Sequence, residues 1–356
     1  SSRNNIVVED NHIEYIGHQA KYSNETLVAN NLDHGIYLKG EEIIVRNNYM
    51  EKCIGGTIMH LWNSDSNYSY PKNCKIYNNF IDGGFVGSGT NVQIYNNIIL
   101  NDLVLNDKWG LHLYPSLNYQ VYNNLIKSRG GVLIGRYGTV NELDFKNNIV
   151  YGSGDDYILS IIDATSCTFG YNNYYADNNN SDYFLVNSER FSDFINYNDY
   201  ILVHSPNNCT ETASFFGDPD FQDSNRGKYN LTAYSPCIDK GCPQQSLNIN
   251  AYDPYETDGI DYLNNYRIIA TLNNAEPIVD IGPIEHGNFQ KFYISPNGSQ
   301  DGDGSFDDPW DITALNDSKG VGAGDVILLK GGVYVQLIRD SWESFIRVAL
   351  KGKKGF

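Results

Sequence analysis

The residues best suited to chemistry in this chain lie between positions 107 and 136. His112 and Tyr114 share one strand-like stretch, and charged side chains precede and follow it: Asp107, Lys108, Arg129 and Arg136. An imidazole or an amine can take up a proton, a phenol can donate one, and a guanidinium can neutralise a carboxylate. This group therefore suits acid–base chemistry beside an anionic group, provided that the fold brings its members together.

A second group lies between positions 34 and 62. Tyr37 and Lys39 share one strand-like stretch, and His60 and Trp62 share another. The flat rings of Tyr37 and Trp62 offer apolar faces that suit pyranose rings, so we expect a substrate subsite here as readily as a catalytic one. His34, at a turn, is interpreted as a residue that bonds the backbone.

A recurring Asn-Asn pair indicates the elements that must position both groups. The pairs are Asn47-Asn48, Asn78-Asn79, Asn96-Asn97, Asn123-Asn124, Asn147-Asn148 and Asn172-Asn173, with a fainter copy at Asp10-Asn11. Asn tolerates the left-handed backbone and bonds its neighbouring backbone, so each pair predicts a corner between two strands. Repeats of this length with short β-branched strands favour a parallel β-helix, in which equivalent Asn side chains bond along the stack.

Short strands with a period of two lie between the Asn corners. Their alternation predicts inward side chains at Ile36/Leu38, Met59/Leu61, Leu111/Leu113 and Val132/Ile134, and outward ones at Tyr37/Lys39, His60/Trp62, His112/Tyr114 and Leu133. Coils stack about 4.8 Å apart. Lys39 and Arg136 are then about four coils, or roughly 19 Å, apart, whereas His112 lies one coil from Arg136.

Composition excludes several classes of partner. The chain has 356 residues, 41% of them hydrophobic, a formal charge of −18 and a pI near 4.6. Nucleic acid and acidic membrane surfaces demand clustered cations, so neither is expected, but an acidic polysaccharide needs only a locally positive groove. No apolar run approaches 18 residues, so we expect no membrane insertion. The six cysteines are expected to be mostly buried thiols, with Cys237 and Cys242 the best candidates for a bridge.

The Asn-Asn coils, with their Gly-Ile-Tyr-Leu and Gly-Leu-His-Leu-Tyr strands, resemble the right-handed parallel β-helix proteins of the pectate-lyase-like superfamily. The resemblance implies an all-β solenoid with a short capping helix and irregular loop excursions. Residues 1–176 would form the Asn-Asn coils. Residues 177–288 would hold the last coils, a loop excursion and the family's C-terminal segment, and residues 289–356 would supply its N-terminal cap and first strands.

The order of these pieces is inverted relative to the family. Residues 215–241 and Val279–Glu285 resemble the family's end, while residues 292–334, with a short helix expected at Ile312–Asn316, resemble its opening. A circular permutation, a cut between tandem domains and a sequence joined out of chain order all explain this inversion. Two or three expected strands are absent between the two pieces, which favours incomplete or reordered sequence over a clean permutation.

The resemblance also implies a secreted or cell-surface protein whose active site lies on an outer sheet that binds a polysaccharide. Lyase chemistry on a uronate would use Arg136 or Arg129 to neutralise the carboxylate, His112 or Lys108 as base and Tyr114 as acid. Substrate contacts are expected from the residues that flank these: Tyr37, Lys39, His60, Trp62, Arg129 and Asp107.

Two alternative functions stay open. A glycoside hydrolase needs two carboxyl groups about 5 to 9.5 Å apart, and Asp107 with Asp156, at roughly 10 Å, is the nearest pair. A non-catalytic glycan-binding, fibre or tailspike-like protein is the other. No metal ligands are assigned and the cofactor is unknown: the oxygen-rich loop Asp301–Asp308 is interpreted as a calcium site or, more commonly for such sequences, as a tight Gly-Asp turn.

Overall fold

The computed structural model describes residues 4–14, 21–23, 26–28, 34–51, 57–61, 71–102, 108–154, 156–177, 182–242, 261–263, 279–286, 291–317 and 326–332. They fall into two compact units, Ser1–Arg267 with Ile278–His286, and Ile268–Pro277 with Gly287–Phe356. The first unit is a three-sided parallel β-helix, so the predicted all-β solenoid is confirmed. We name its sides the front, side and back sheets.

Each coil passes through the three sheets in turn. The front sheet consists of Ile36–Leu38, Met59–Leu61, the first residues of Phe85–Tyr95 and of Leu111–Tyr122, Val132–Ile134, Leu159–Ile161 and Phe184–Val186. The side sheet consists of Asn4–Glu9, Glu41–Arg46, Lys72–Tyr77, the remainders of Phe85–Tyr95 and Leu111–Tyr122, Val140–Lys146, Ala164–Thr165, Thr168–Gly170 and Thr210–Thr212. The back sheet consists of His12–Glu14, Tyr49–Glu51, Phe80–Asp82, Ile98–Asn101, Leu125–Ser128, Ile149–Gly152, Asn173–Ala176 and Phe215–Phe216.

The Asn pairs form the corner between the side and back sheets. In five pairs the first residue is left-handed, with φ between 54° and 56° at Asn47, Asn78, Asn96, Asn123 and Asn147. At the last pair the corner lies one residue earlier than predicted: Tyr171 is left-handed, with φ 54°, and Asn172 takes the place of the second Asn. The second Asn joins the coils: the Oδ1 of Asn97 accepts from the Asn79 backbone N–H at 3.0 Å, and its Nδ2 donates to the Ile76 carbonyl at 2.9 Å. The same bonding runs from Asn11 to Asn172, where Ser214 replaces the next Asn.

The strand register confirms the predicted alternation and coil count. The inward residues of the front strands are buried in one continuous core. Leu38 pairs with Leu61, Leu61 with Gly87, Gly87 with Leu113 and Leu113 with Ile134. Lys39 and Arg136 therefore lie four coils apart.

The C-terminal segment of the first unit covers part of the back sheet. A second core cluster forms there between back-sheet residues and that segment: Ile98, Leu125, Ile149, Tyr229, Leu231, Cys237, Ile281 and Ile284. The segment includes the antiparallel strands Phe221–Asp223 and Lys228–Leu231, with the 3₁₀ helix Ser224–Arg226 between them. The five cysteines among the described residues are buried and unbridged, and Cys237 and Cys242 lie in different clusters, so the bridge predicted between them is wrong.

A helix covers the C-terminal end of the core. The strand Glu189–Phe191 pairs antiparallel with Phe184–Val186, and the α-helix Phe194–His204 and the 3₁₀ helix Pro206–Asn208 follow. The Asp193 carboxylate caps the α-helix by accepting from the Asn196 N–H at 2.8 Å. Tyr197 and Ile201 enter the core.

The carboxylate of Glu211 is buried beneath this helix. It accepts hydrogen bonds from Ser214 and from the hydroxyls of Tyr197 and Tyr174, at 3.1 and 3.2 Å. Burial raises the pKa of Glu211 to about 7, because removal from water disfavours the charged form. The end of the core therefore contains a group that titrates near neutral pH.

The remaining elements are short. Lys21–Ser23 pairs antiparallel with Thr26–Val28 in the first unit. In the second unit, Lys291–Ile294 pairs parallel with Val326–Leu329, and a 3₁₀ helix spans Ile312–Asp317, where a short helix was predicted. Trp310 stacks on Phe292 at 4.5 Å between ring centroids. The capping role and the family likeness of this unit stay predictions.

We expect Asn97→Ala to destabilise the protein strongly, because it leaves the Asn79 N–H and the Ile76 carbonyl buried without these partners. At about 1–3 kcal/mol for each buried group, the free energy of unfolding should fall by on the order of 4 kcal/mol in denaturant titrations. Asn118→Gly is the control, since Asn118 has φ 54° and bonds Asn91 in an exposed ladder. Asn118→Gly should lower the unfolding free energy by less than about 1 kcal/mol. An equal loss in the two variants would show that the buried ladder stabilises the protein no more than the exposed one.

Glu211 should make stability depend on pH. Its pKa is about 7 in the folded protein against 4.5 for the ordinary group, so the folded state binds the proton more tightly. The contribution is complete below pH 4.5 and is lost as the pH rises to about 7, a fall of about 3 kcal/mol in unfolding free energy. In Glu211→Gln, the unfolding free energy from denaturant titrations at a series of pH values should no longer fall between pH 4.5 and 7. The exposed substitution Glu189→Gln should not, and an unchanged slope in Glu211→Gln would contradict the assignment.

Candidate functional site

The outward row of the front sheet holds the predicted site residues, but most of the row is buried. Strand pairing aligns the row as Tyr37, His60, Val86, His112, Leu133, Ser160 and Leu185. Tyr37 is 51% exposed, whereas His60 is 9% and His112 only 3% exposed. Both histidines lie in the outward row, as the alternation predicts, but they are buried because neighbouring aromatic rings pack against them.

His60 belongs to a pair of histidines that spans two coils. Its Nδ1 lies 3.1 Å from the Nε2 of His34, whose own Nδ1 lies 2.9 Å from the Thr57 carbonyl oxygen. The pairing of Ile36 with Met59 aligns His34 with Thr57 on adjacent coils, which explains why the His34 ring reaches the Thr57 carbonyl. His34 thus bonds the backbone, as interpreted from the sequence, and also contacts His60.

These contacts assign the tautomers of both rings. The Nδ1 of His34 lies 2.9 Å from the Thr57 carbonyl oxygen and 3.4 Å from the Thr57 hydroxyl. Because the carbonyl oxygen is nearer and only accepts hydrogen bonds, we assign a proton to this Nδ1. When His34 is neutral its Nε2 accepts, and the Nδ1 of His60 must donate. The lone pair of His60 is then on Nε2, and a proton taken up there would be stabilised by the bond to His34. The pair has the arrangement of a base with an orienting partner.

Tyr114 reaches both histidines because its strand contains a β-bulge. Leu113 pairs with Gly87 and Ser116 with Gly89, so Tyr114 and Pro115 together face the single residue Ser88. Such a bulge redirects a side chain, and it accommodates a proline within a strand. The Tyr114 ring lies 4.5 Å from the ring of His112 and 6.2 Å from that of His60.

Arg136 and Tyr137 close the other end of the row. They lie in a turn between Gly135 and Gly138, whose φ values of 79° and 137° favour glycine. Tyr137 is 61% exposed, and its ring lies 5.9 Å from the ring of His112 and 5.1 Å from that of Tyr114. The Arg136 guanidinium lies 5.3 Å from the centre of the Tyr137 ring, a cation–π distance. Of the predicted catalytic residues, His112 and Tyr114 are thus in direct contact, and Tyr137 contacts both of them as well as Arg136.

Lys108 and Arg129 lie at the other edge of the front sheet, in the turns that precede its strands. Lys108 forms an ion pair with Asp156, two coils along the stack, and lies 5.3 Å from the centre of the Trp109 ring. A neighbouring carboxylate favours the charged ammonium, which opposes the predicted role of Lys108 as a base. Arg129 is half-buried, with Gly154 of the next coil against its backbone. Asp107 and Trp62 lie outside the described residues.

The other sheets offer less to a ligand. The side sheet displays amides that bond one another, Gln93 to Gln120 at 2.6 Å and Asn91 to Asn73 at 3.0 Å. The C-terminal segment covers the back sheet around Ile98, Leu125 and Ile149, and His12 and Glu14 on the first coil of that sheet are exposed. In the second unit, the carboxylates of Asp303 and Asp308 accept from backbone N–H groups within their own loop. Those bonds are typical of a tight turn.

Two further rings lie beside the row: His34, which the sequence analysis assigned only a backbone-bonding role, and Tyr137, which it missed. His34 has its ring 4.5 Å from that of His60, and the coil register is the signal that would have placed it there. Tyr137 was overlooked because its turn follows the strand Val132–Ile134, which is much shorter than the strand Leu111–Tyr122 of the preceding coil. Together with Tyr37, whose ring lies 5.1 Å from that of His60, they complete a continuous strip of rings across the front sheet.

Comparison with known proteins gives one result. Residues 1–150 match a family model described as the right handed beta helix region, which agrees with the fold and gives its hand. No curated protein and no solved structure matches the chain. Within the described ranges, no helix has the length and apolar character needed to cross a membrane. The β-helix is thus supported independently, and the chemistry of the front sheet must be argued from its geometry.

The tautomers assigned above can be tested without knowledge of a substrate. In long-range ¹H–¹⁵N NMR spectra, neutral His34 and His60 should both carry the proton on Nδ1, the less common form for a free imidazole. His34→Ala should shift His60 toward the Nε2–H form, because the acceptor for its Nδ1 is removed. His12→Ala, on the back sheet, should leave the His60 signals unchanged. A neutral His60 protonated on Nε2 in the unmodified protein would contradict the relay.

Proposed function

We propose that this protein is a secreted or cell-surface enzyme that cleaves an acidic, uronate-containing polysaccharide by β-elimination on the front sheet. The observation that supports the proposal best is the His34–His60 pair, with its 3.1 Å contact, flanked by aromatic rings and by a lysine one coil away. The β-helix fold is compatible with proteins that act on or bind polysaccharides, but fold alone does not assign a reaction.

Charge limits where such a substrate can bind. The chain carries a formal charge of −18, so a polyanion is repelled by most of its surface. The front sheet has exposed cations at Lys39 and Arg136, and exposed rings at Tyr37 and Tyr137 can stack on sugars. Four coils separate the two cations, or roughly 19 Å. A glycan lying along the stack would therefore meet a cation near each end of the strip.

The proposed reaction takes place around His60. The Lys39 ammonium, one coil away, neutralises the uronate carboxylate, so the C5 proton becomes more acidic. The Nε2 of His60 takes that proton while His34 holds the ring, and a phenol protonates the oxygen of the departing sugar. Tyr37 and Tyr114 both contact His60. We assign the donor role to Tyr37, because it is the more exposed, and partial burial raises its pKa and keeps the phenol protonated.

Access to His60 requires a ring to move. His60 is 9% exposed beneath Tyr37 and Tyr114. A sugar that stacks on Tyr37 would displace this ring and uncover the imidazole. Catalytic contacts that tighten only when substrate binds are common in enzymes, so proton transfer here is expected to follow binding.

A second candidate function is binding without catalysis. The observation that favours it is the low exposure of both histidines beside exposed Tyr37 and Tyr137. A strip of exposed rings with buried polar groups beneath it holds a glycan without any proton transfer. The two functions share a surface and differ only in whether His60 reaches the substrate.

The decisive assay incubates the protein with pectate, alginate and glycosaminoglycans and follows the absorbance of unsaturated uronates together with new reducing ends. Elimination gives both signals, hydrolysis gives reducing ends alone, and a pure binder gives neither. His60→Ala should lower kcat/KM at least about 100-fold through loss of the base. Tyr37→Phe should lower kcat, and Lys39→Ala should mainly raise KM.

Lys75→Ala is the matched control for Lys39→Ala, because it removes an exposed cation from the side sheet. It should leave the kinetic constants unchanged. Full activity in His60→Ala would overturn the assignment of the base. If the protein is retained on immobilised glycan but gives neither uronate absorbance nor new reducing ends, the enzyme proposal is wrong and binding without catalysis is supported.

A further inference from the structure

Two cysteines lie side by side at the C-terminal end of the β-helix. Thr168 pairs with Thr210 on parallel strands, and the Thr210 N–H donates to the Cys167 carbonyl at 2.8 Å. The residues before these threonines, Cys167 and Cys209, therefore occupy equivalent positions on adjacent coils. Both side chains point into the core, and they are 0% and 2% exposed.

Both thiols are free in this structure, but the spacing of the two coils suits a disulfide. Paired residues on neighbouring parallel strands lie about 4.8 Å apart, within the range of about 4.4–6.8 Å between the Cα atoms of bridged cysteines. The side chains also share a direction, so the sulfur atoms approach each other. A hydrogen bond between the two thiols raises the pKa of Cys167 and lowers that of Cys209. Cys209 is thus the better source of a thiolate.

We propose that Cys167 and Cys209 form a disulfide that joins the last coils of the β-helix. The oxidant is a disulfide of the glutathione class, encountered as the chain folds. The Cys209 thiolate attacks it and releases one thiolate, and the Cys167 thiolate then displaces the second from the mixed disulfide. In total the two cysteine thiols lose two protons and two electrons, and the oxidant becomes two thiols.

The disulfide would stabilise the protein because it lies at the end of the solenoid. The ends of a solenoid contact a neighbouring coil on one side only and open first. The 42 positions from Cys167 to Cys209 include the helix Phe194–His204, which covers the end of the core. A bridge between them closes that segment into a loop and ties the strand Thr210–Thr212 to the coil before it. This inference is independent of the proposed enzymatic activity.

The test refolds the full chain in a glutathione redox couple, blocks free thiols, digests without reduction and identifies linked peptides by mass spectrometry. The unmodified protein should lose two of its six thiols and give a Cys167–Cys209 peptide. Cys167→Ala and Cys209→Ala should lose none. Cys74→Ala is the matched control, because Cys74 is buried in the same inward row but pairs with Val92. It should still lose two thiols.

The second measurement is the melting temperature with and without a reductant. Closing a loop of this length should raise Tm by about 5–10 °C, and the reductant should remove that gain from the unmodified protein and from Cys74→Ala only. Retention of all six thiols after oxidation, or a linked peptide that joins other cysteines, would overturn the pairing. If the linked protein has the same Tm with and without the reductant, the disulfide does not stabilise the C-terminal end of the β-helix.

Discussion

The rest of the structure depends on the hydrogen bond that each ladder Asn accepts from the coil before it. The Oδ1 of Asn97 takes the Asn79 backbone N–H at the corner where the strand bends and cannot pair with a neighbouring strand. Without this acceptor, a buried amide would be left unsatisfied on every coil, at a cost comparable to a lost hydrogen bond. The ladder also holds the coils in register, so the positions of all outward side chains follow from it.

Local signals were enough to predict the coil and its alternation. Asn is one of few residues that tolerate φ near 55°, so a repeated Asn pair predicts a repeated corner. The apolar pairs at Ile36/Leu38 and Leu111/Leu113 face inward because a strand has a period of two. These features depend on residues close in sequence, and for that reason they were readable without a structure.

The features that were missed depend on residues from different coils. Pro115 is the extra residue of the bulge, which turns Tyr114 toward His60, two coils away. The coil between them has only Val86 and Ser88 at this position. His34 meets His60 only because coil stacking aligns His34 with Thr57. The burial of His112 follows from the conformation of the turn that carries Tyr137. A pattern of single strands carries no information about such contacts.

The fixed spacing of the coils also decides between chemical arrangements on the front sheet. A base and a cation that act on one sugar must lie about one coil apart, because each further coil adds about 4.8 Å. Among the described residues, Lys39 lies one coil from His60 and two residues along the strand, and Arg136 lies one coil from His112 and three residues along. The Nδ1 of His60 lies 3.1 Å from the Nε2 of His34, whereas His112 is enclosed by Tyr114 and Tyr137 at 3% exposure. For the proposed reaction, this geometry favours His60 as the base and leaves Arg136 to hold a more distant part of the glycan.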